Sequence, residues 1–290
     1  MAANETNPDS PAAKAAPANL EFVALRDHGV AETADLLTRA FAGYFVRIVF
    51  TADLLAQMAR NDSVDFDASR VVRCGGTAIG AALIARRGDA CRLAAMGVVS
   101  EARRTGAGRA LVARVVAEAA ERGERSMRLE VIEQNEPAVR VYAQAGFATL
   151  RRLVGFLGAG NGDPAAAASV ETIGIAEAAD AMTRHAPAEW PWQLSGETLA
   201  NVAPPGAAHR CGAAWIVLTD PATSPVTIRG LAAPGGTADA VRLLRGVMGK
   251  YPGRDWRAAP VWPEEHAGAF SAVGLKRMEL SQWQMIRRLA

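Results

Sequence analysis

The sequence repeats its own punctuation. Tyr142-Ala-Gln-Ala-Gly146-Phe147 is echoed by Phe270-Ser-Ala-Val-Gly274-Leu275, an offset of 128 residues that superposes Tyr142 on Phe270, Gly146 on Gly274 and Phe147 on Leu275. In each copy a helical pattern stops at a glycine, the residue that best tolerates the left-handed turn ending a helix, and a strand pattern follows. Self-similarity at this spacing predicts two like halves in tandem. The alternative is two unrelated α/β halves that share a helix–Gly–strand punctuation. Between them GAGNGDPAAAAS, residues 158–169, concentrates Gly, Pro and Ala and reads as a linker. The expected division is a disordered tail over 1–18, a first domain over 19–157, the linker at 158–169 and a second domain over 170–290. A chain of 290 residues is ample for two domains.

The first half reads as a mixed α/β layer. LEFVAL (20–25) is a short strand, AETADLLTRAFAGYFVRIVF carries helical spacing, and TADLLAQMAR follows with Thr51 as an N-cap. SRVVRCGG and AIGAALIARRG form a hairpin about Gly75-Gly76, and CRLAAMGVV is a third, apolar strand. After a glycine loop come a helix ending near Gly123, the strand SMRLEVIEQ, a helix with Pro137 in its first turn, and a closing strand ATLRRLVGFL. The second half repeats this in reduced form, with strands AAWIVLTD and VTIRGLAA, the helix TADAVRLLRGVMGKYPG, and a last helix and strand.

Composition removes several function classes. The formal net charge is only +2, so nothing electrostatic points to nucleic acid or a membrane surface. Cys74, Cys91 and Cys211 are odd in number and widely spaced, and the four histidines are scattered, which predicts neither a disulfide framework nor a metal site. No leader pattern or bilayer-length apolar run is visible, and a reduced cytoplasm is the expected compartment.

The chemistry is concentrated at Arg103-Arg104-Thr105-Gly106-Ala107-Gly108-Arg109, directly ahead of a helix. Glycines there let successive backbone N–H groups converge on an anion at the positive end of the helix dipole. The spacing fits neither the mononucleotide phosphate loop nor the dinucleotide fingerprint. By itself it is equally well read as a turn before a surface helix. Further on, Asn135, Ala138, Tyr142, Gly146 and Phe147 form an N-x-x-A-x-x-x-Y-x-x-x-G-F pattern. The two segments together resemble the GCN5-related N-acetyltransferase (GNAT) superfamily over roughly residues 20–157.

That resemblance implies the following assignments. Met96, Gly97, Val98 and Val99 occupy the strand whose backbone lines the pantetheine arm of acetyl-CoA. The amides from Arg104 through Thr105, Gly106, Ala107 and Gly108 to Arg109 hold the pyrophosphate, with the arginine side chains, Arg103 included, in reach of the 3′-phosphate. Asn135 meets the pantetheine near the thiol, and Tyr142 matches the tyrosine that protonates the leaving thiolate. Glu130 is the candidate base and Glu133 its rival, since strand alternation puts them on opposite faces. Glu130 is also readable as a strand carboxylate paired with an arginine such as Arg128 or Arg140, and Tyr142 as a packed tyrosine.

Tyr44, Phe45 and Phe50 are candidate walls of the acceptor site, and Asp62, Asp65 and Asp67 a candidate cation attractor or simply a solvated acidic loop. Under the 128-residue offset Glu130 becomes Ala258, Asn135 becomes Pro263 and Tyr142 becomes Phe270, which predicts a degenerate second domain. The expected architecture is therefore two GNAT-like acyl-CoA N-acyltransferase domains of mixed α/β sheet in tandem. The expected activity is acetyl transfer from acetyl-CoA to the primary amine of a small molecule or peptide, without a metal, in a monomer or homodimer. A non-catalytic acyl-CoA-binding regulatory protein is the alternative.

Overall fold

The computed structural model describes residues 19–289; the tail expected at 1–18 lies outside them. The first half contains β1 (Leu20–Ala24), α1 (Leu25–His28), α2 (Val30–Ala40), α3 (Ala52–Asp62), β2 (Val64–Cys74), β3 (Thr77–Arg87), β4 (Ala90–Val98), α4 (Ala107–Glu121), β5 (Ser126–Ile132), α5 (Glu136–Gln144) and β6 (Ala148–Gly158). The second contains α6 (Pro164–Ala167), β7 (Glu171–Ile173), α7 (Ile175–His185), α8 (Gly196–Leu199), β8 (Ala207–Cys211), β9 (Ala214–Leu218), β10 (Val226–Ala232), α9 (Thr237–Lys250), β11 (Trp256–Pro263), α10 (Gly268–Ala272), β12 (Lys276–Arg277) and β13 (Gln282–Arg288).

All the strands join one sheet, in the order β1-β2-β3-β4-β5-β13-β6-β11-β10-β9-β8-β7, with β12 paired to β6. The halves exchange their last strands. β13, from the end of the chain, lies between β5 and β6, while β6 lies against β11. The expectation that ATLRRLVGFL closes the first half's own sheet is corrected accordingly. It is a strand, but β13 separates it from β5.

The exchange obeys the sequence repeat. Glu130 is opposite Gln284, Leu129 opposite Met285 and Arg128 opposite Ile286. Shifted by 128, these become Ala258 opposite Phe156, Arg257 opposite Leu157 and Trp256 opposite Gly158, all pairs of the β6–β11 ladder. The two helix ends repeat as well. Gly146 and Gly274 have φ of +83° and +84°, and Phe147 N–H donates to Tyr142 O at 3.0 Å as Leu275 N–H does to Phe270 O at 3.1 Å. Two-fold pseudosymmetry accounts for these matches; chance punctuation would not reproduce strand register.

Residues 158–169 are laid down against the second half instead of hanging free. Asn161 N–H donates to Val273 O at 2.7 Å and Asp163 N–H to Arg245 O at 2.9 Å, and α6 packs on α9. The approach is close enough that a Cβ at Gly246 would lie 3.0 Å from Ala166 O.

Alternation along the strands divides the first half's core in two. Val72, Ile84, Cys91, Leu93, Met127, Leu129 and Met285 pack under α4 and α5. Val71, Ala81, Leu83 and Ala85 pack under α1, α2 and α3, with Trp192 of the second half among them. Burying a residue such as Leu83 contributes about 2 kcal/mol.

Two local expectations fail. Helical spacing continues past Ala40, but the helix stops there and residues 41–50 form a loop. Gly43 takes φ +71°, Phe41 packs on Tyr44 and Phe50 with centroids 5.0 and 5.2 Å away, and Thr38 Oγ1 accepts from Phe50 N–H at 2.8 Å. NDSVDFD is not a loop, since its last four residues belong to β2.

Candidate active site

β4 and β5 run parallel and in register only from Ala90/Ser126 to Leu93/Leu129, after which β4 continues to Val98 with β3 as its partner. The two strands splay. Val99 N–H donates to Ile79 O at 2.9 Å, so by antiparallel alternation the amides of Met96 and Val98 turn away from β3 into the opening. Val99, grouped with Val98 from sequence, spends its own amide on β3.

At the mouth of this opening Arg104 has φ +63° and Gly106 φ +93°, so the chain coils into a left-handed turn before α4. Gly106 caps the helix without a side-chain cap, and the first turn holds no acid. Thr105 Oγ1 donates to Ala102 O at 2.8 Å and stiffens the loop. Among the described residues the backbone amides of Gly106 and Gly108 have no backbone partner, as expected for the first positions of a helix. A Cβ at Gly108 would meet only Val98, at 3.8 Å, so the approach is open. These features fit a pyrophosphate. Arg103 does not behave as expected. Its Nε donates to Val98 O at 3.1 Å and its NH2 to Ala40 O at 2.8 Å, tying the end of β4 to the end of α2.

The corresponding loop of the second half is different. The third residue of α9 is Asp239, where α4 has Arg109. The Asp239 carboxylate occupies the space beside Gly235. A carboxylate in the first turn satisfies the helix end and repels a phosphate.

Asn135 is the N-cap of α5, its Oδ1 accepting from Ala138 N–H at 3.4 Å, and its side chain also meets the Tyr44 hydroxyl. Tyr142 is buried, 7% exposed, with its ring edge-on to Phe147 at 6.0 Å. Burial, and after it the nearby Tyr44, push its phenol above the ordinary tyrosine range. Tyr44 thus lies near both Asn135 and Tyr142. Glu133 is tied to Arg152 Nε at 2.8 Å and to Ser281, on the α4 side of the sheet.

Glu130 is on the other face and deeply buried. Its side chain is 3% exposed, and Oε2 accepts from Arg92 Nε at 2.7 Å and Gln193 Nε2 at 3.1 Å. The arginine partner is therefore Arg92, not Arg128 or Arg140; Arg140 pairs with Glu136 at 3.1 Å. Sequence reasoning missed Arg92, Gln193 and Gln284. The signal for Arg92 was a lone charge in the otherwise apolar CRLAAMGVV. Cys91 is fully buried, its thiol pushed up by burial, and Sγ sits 3.5 Å from Ser126 O, so it is a packed side chain.

The acidic residues do not gather at an acceptor site. Asp65 pairs with Arg86 at 2.9 Å and Asp67 with Arg26 at 2.6 Å. Arg86 and the hydrogen bonds from the Asp67 and Ala68 amides hold the Asp65 carboxyl below the usual range against desolvation. Both line a surface groove with Arg114 and Glu118 of α4, on the far face of the sheet from Glu130. Among the described residues no group of His, Cys, Asp or Glu has the arrangement to hold a metal ion, and no helix is long and apolar enough to cross a membrane.

Residues 32–147 match the model of the acetyltransferase (GNAT) family. That match lies within the first half, and the chain as a whole has the tandem GNAT fold. It is similar to a tandem GNAT protein from the clavulanic acid biosynthesis pathway, with 17% identity, coverage of 94% of this chain and 99% of the other, and a TM-score of 0.62. It is also similar to a GCN5-related N-acetyltransferase from Sphaerobacter thermophilus, with 13% identity, coverage of 95% and 97%, and a TM-score of 0.65. A third similar structure is the GCN5-related N-acetyltransferase from Anabaena variabilis, at 13% identity, coverage of 94% and 73%, and a TM-score of 0.64. No curated protein sequence matches.

Proposed function

We propose that the first half is an acetyl-CoA-dependent N-acetyltransferase acting on a primary amine, and that the second half is a degenerate copy that shapes the acceptor side. The observation that carries this reading is the splay of β4 from β5 directly behind an acid-free, glycine-capped helix end. The α4 amides hold the pyrophosphate. The edge of β4 lines the pantetheine, and Asn135 and Tyr142 stand at its thiol end. Glu130 Oε1, the oxygen without a protein partner, takes the proton from the attacking amine. The Met96 and Val98 amides bind the thioester oxygen as charge develops on it. The N–C bond forms, the C–S bond breaks, and the Tyr142 phenol returns a proton to the thiolate.

The test is release of free thiol from acetyl-CoA with a panel of amines. Tyr142→Phe is expected to lower kcat by roughly 10²-fold, within the range for loss of a general acid, while leaving acetyl-CoA affinity within a few-fold. The confinement of Glu130 under Gln193 favours a second reading, an acyl-CoA-binding regulatory protein. Saturable acetyl-CoA binding without thiol release on any amine would select it.

A further inference from the structure

The acceptor face of the first half is crossed by a strap from the second. Three consecutive carbonyls of the strap are received by side chains of the sheet. Arg151 NH2 donates to Ala188 O at 3.4 Å, Gln284 Nε2 to Glu189 O at 3.1 Å and Arg128 NH1 to Trp190 O at 3.5 Å. Trp192 then enters the first half's core, its Nε1 donating to Asp62 O at 2.8 Å and Arg87 lying over its ring at 4.4 Å. The strap thereby covers the face of β5 and β13 that carries Arg128, Glu130 and Gln284, leaving no open path along it for an extended chain.

Beneath the strap lies a set of polar atoms that the protein does not satisfy. Glu130 Oε1, Gln193 Oε1, Gln284 Oε1 and Arg128 Nε are buried without a hydrogen-bond partner. The Glu130 side chain is 3% exposed and Gln284 is 0% exposed. Buried polar atoms are ordinarily paired, and each exception asks for an occupant. The amide orientations are fixed, because Gln193 and Gln284 each use Nε2 as a donor elsewhere. With Arg151 Nε, also buried and unpartnered, the set offers three acceptor oxygens and two guanidinium donors, of which Arg151 already has its charge paired with Glu265 at 3.1 Å.

The charges decide what kind of molecule suits it. Glu130 neutralises Arg92, whereas Arg128 has no carboxylate partner among the described residues. A bridging water would satisfy hydrogen bonds but leave that charge uncompensated. A carboxylate on Arg128 and a donor-rich amine among the three oxygens would satisfy both. Arg128 and Glu130 are successive same-face residues of β5, about 7 Å apart, and Gln284 is directly opposite Glu130. The two ends of the ligand are thus only a few bonds apart.

Resting on the acetyl-transfer reading above, we propose that the acceptor is a small amino-carboxylate bound beneath the second half's strap, its carboxylate on Arg128 and its amine at Glu130 Oε1. The second half then contributes specificity directly, through Gln193 and Gln284, and excludes peptides by occupying their path.

The experiment has a binding arm that needs no acetyl transfer. The full chain is titrated with the common amino acids and β-alanine, with the decarboxylated amine of each, and with a hexapeptide, following the fluorescence of Trp190 and Trp192. Thiol release from acetyl-CoA is then measured on the same panel. At least one amino-carboxylate is expected to bind roughly 10- to 100-fold more tightly than its decarboxylated counterpart, the loss expected for one charge-assisted hydrogen bond. Arg128→Gln is expected to erase that preference, with acetyl-CoA calorimetry verifying that the variant is folded. Amines without a carboxylate, or the hexapeptide, performing as well as the amino-carboxylates would overturn the proposal. So would a preference unchanged in Arg128→Gln, or no binding by any amino-carboxylate. Selective binding without thiol release would uphold the site and refute the transferase reading.

Discussion

Replacing Glu130 by glutamine tests the buried polar pair on which both the catalytic and the acceptor readings depend. Arg92 and Glu130 are 8% and 3% exposed and 2.7 Å apart, so removing the carboxylate charge strands a guanidinium in the sheet. Breaking a buried pair from one side costs about 3–5 kcal/mol. Glutamine still offers Arg92 an acceptor oxygen, which places Glu130→Gln at about 3 kcal/mol. A domain stable by about 5–15 kcal/mol survives this. Removing both charges in Arg92→Met/Glu130→Met relieves the stranded ion and should recover much of the loss. Urea unfolding followed by circular dichroism gives the free energies. A cost below about 1 kcal/mol for Glu130→Gln, or single-variant costs that simply add in the double, would refute the buried-pair argument.

His209 supplies a pH prediction. It is fully buried, with Tyr251 Oη 3.0 Å from Nε2, Thr172 Oγ1 3.3 Å from Nδ1 and Lys250 as the facing charge. Burial and then Lys250 lower its pKa to about 4 from 6.5. Above pH 6.5 both folded and unfolded forms are neutral. As pH falls toward 4 the unfolded chain takes up the proton first, so stability should drop by about 2–3 kcal/mol. His209→Gln should flatten that slope in urea titrations between pH 7 and 4, and an unchanged slope would count against it. Trp192→Ala removes a ring seated in the first half's core and should cost about 3–5 kcal/mol, read as the shift in urea midpoint; a cost near zero would mean that the strap is not anchored there. In Gly97→Ala the new methyl would lie 2.8 Å from Ala40 Cβ and 3.0 Å from the Phe41 ring. A loss of about 1–3 kcal/mol with weaker acetyl-CoA binding is expected, and a silent variant would contradict the close approach of α2 to the splayed strand.

Local features were legible where one residue type has one physical use. Gly75 and Gly76 both take positive φ in the β2–β3 turn, Thr51 caps α3 through Leu54 N–H, and Pro137 sits in the first turn of α5. The 128-residue offset carried as far as strand register. The exchange of β6 and β13 was not legible, because a strand beside its own half and one beside its partner need the same alternation. The Arg92–Glu130 pair bridges adjacent parallel strands and comes from residues 38 positions apart, so no local pattern announces it. Residues 41–50 misled because aromatic side chains packing on one another mimic a helical stripe.

We propose one acyl-CoA site per chain, at the start of α4, its counterpart at α9 having been lost. Isothermal calorimetry of the full chain with acetyl-CoA tests it most directly. A single site is expected, with a severe loss of affinity when Arg109→Asp places at α4 the acid that α9 carries in Asp239. Two sites per chain, no binding, or an affinity indifferent to Arg109→Asp would contradict it.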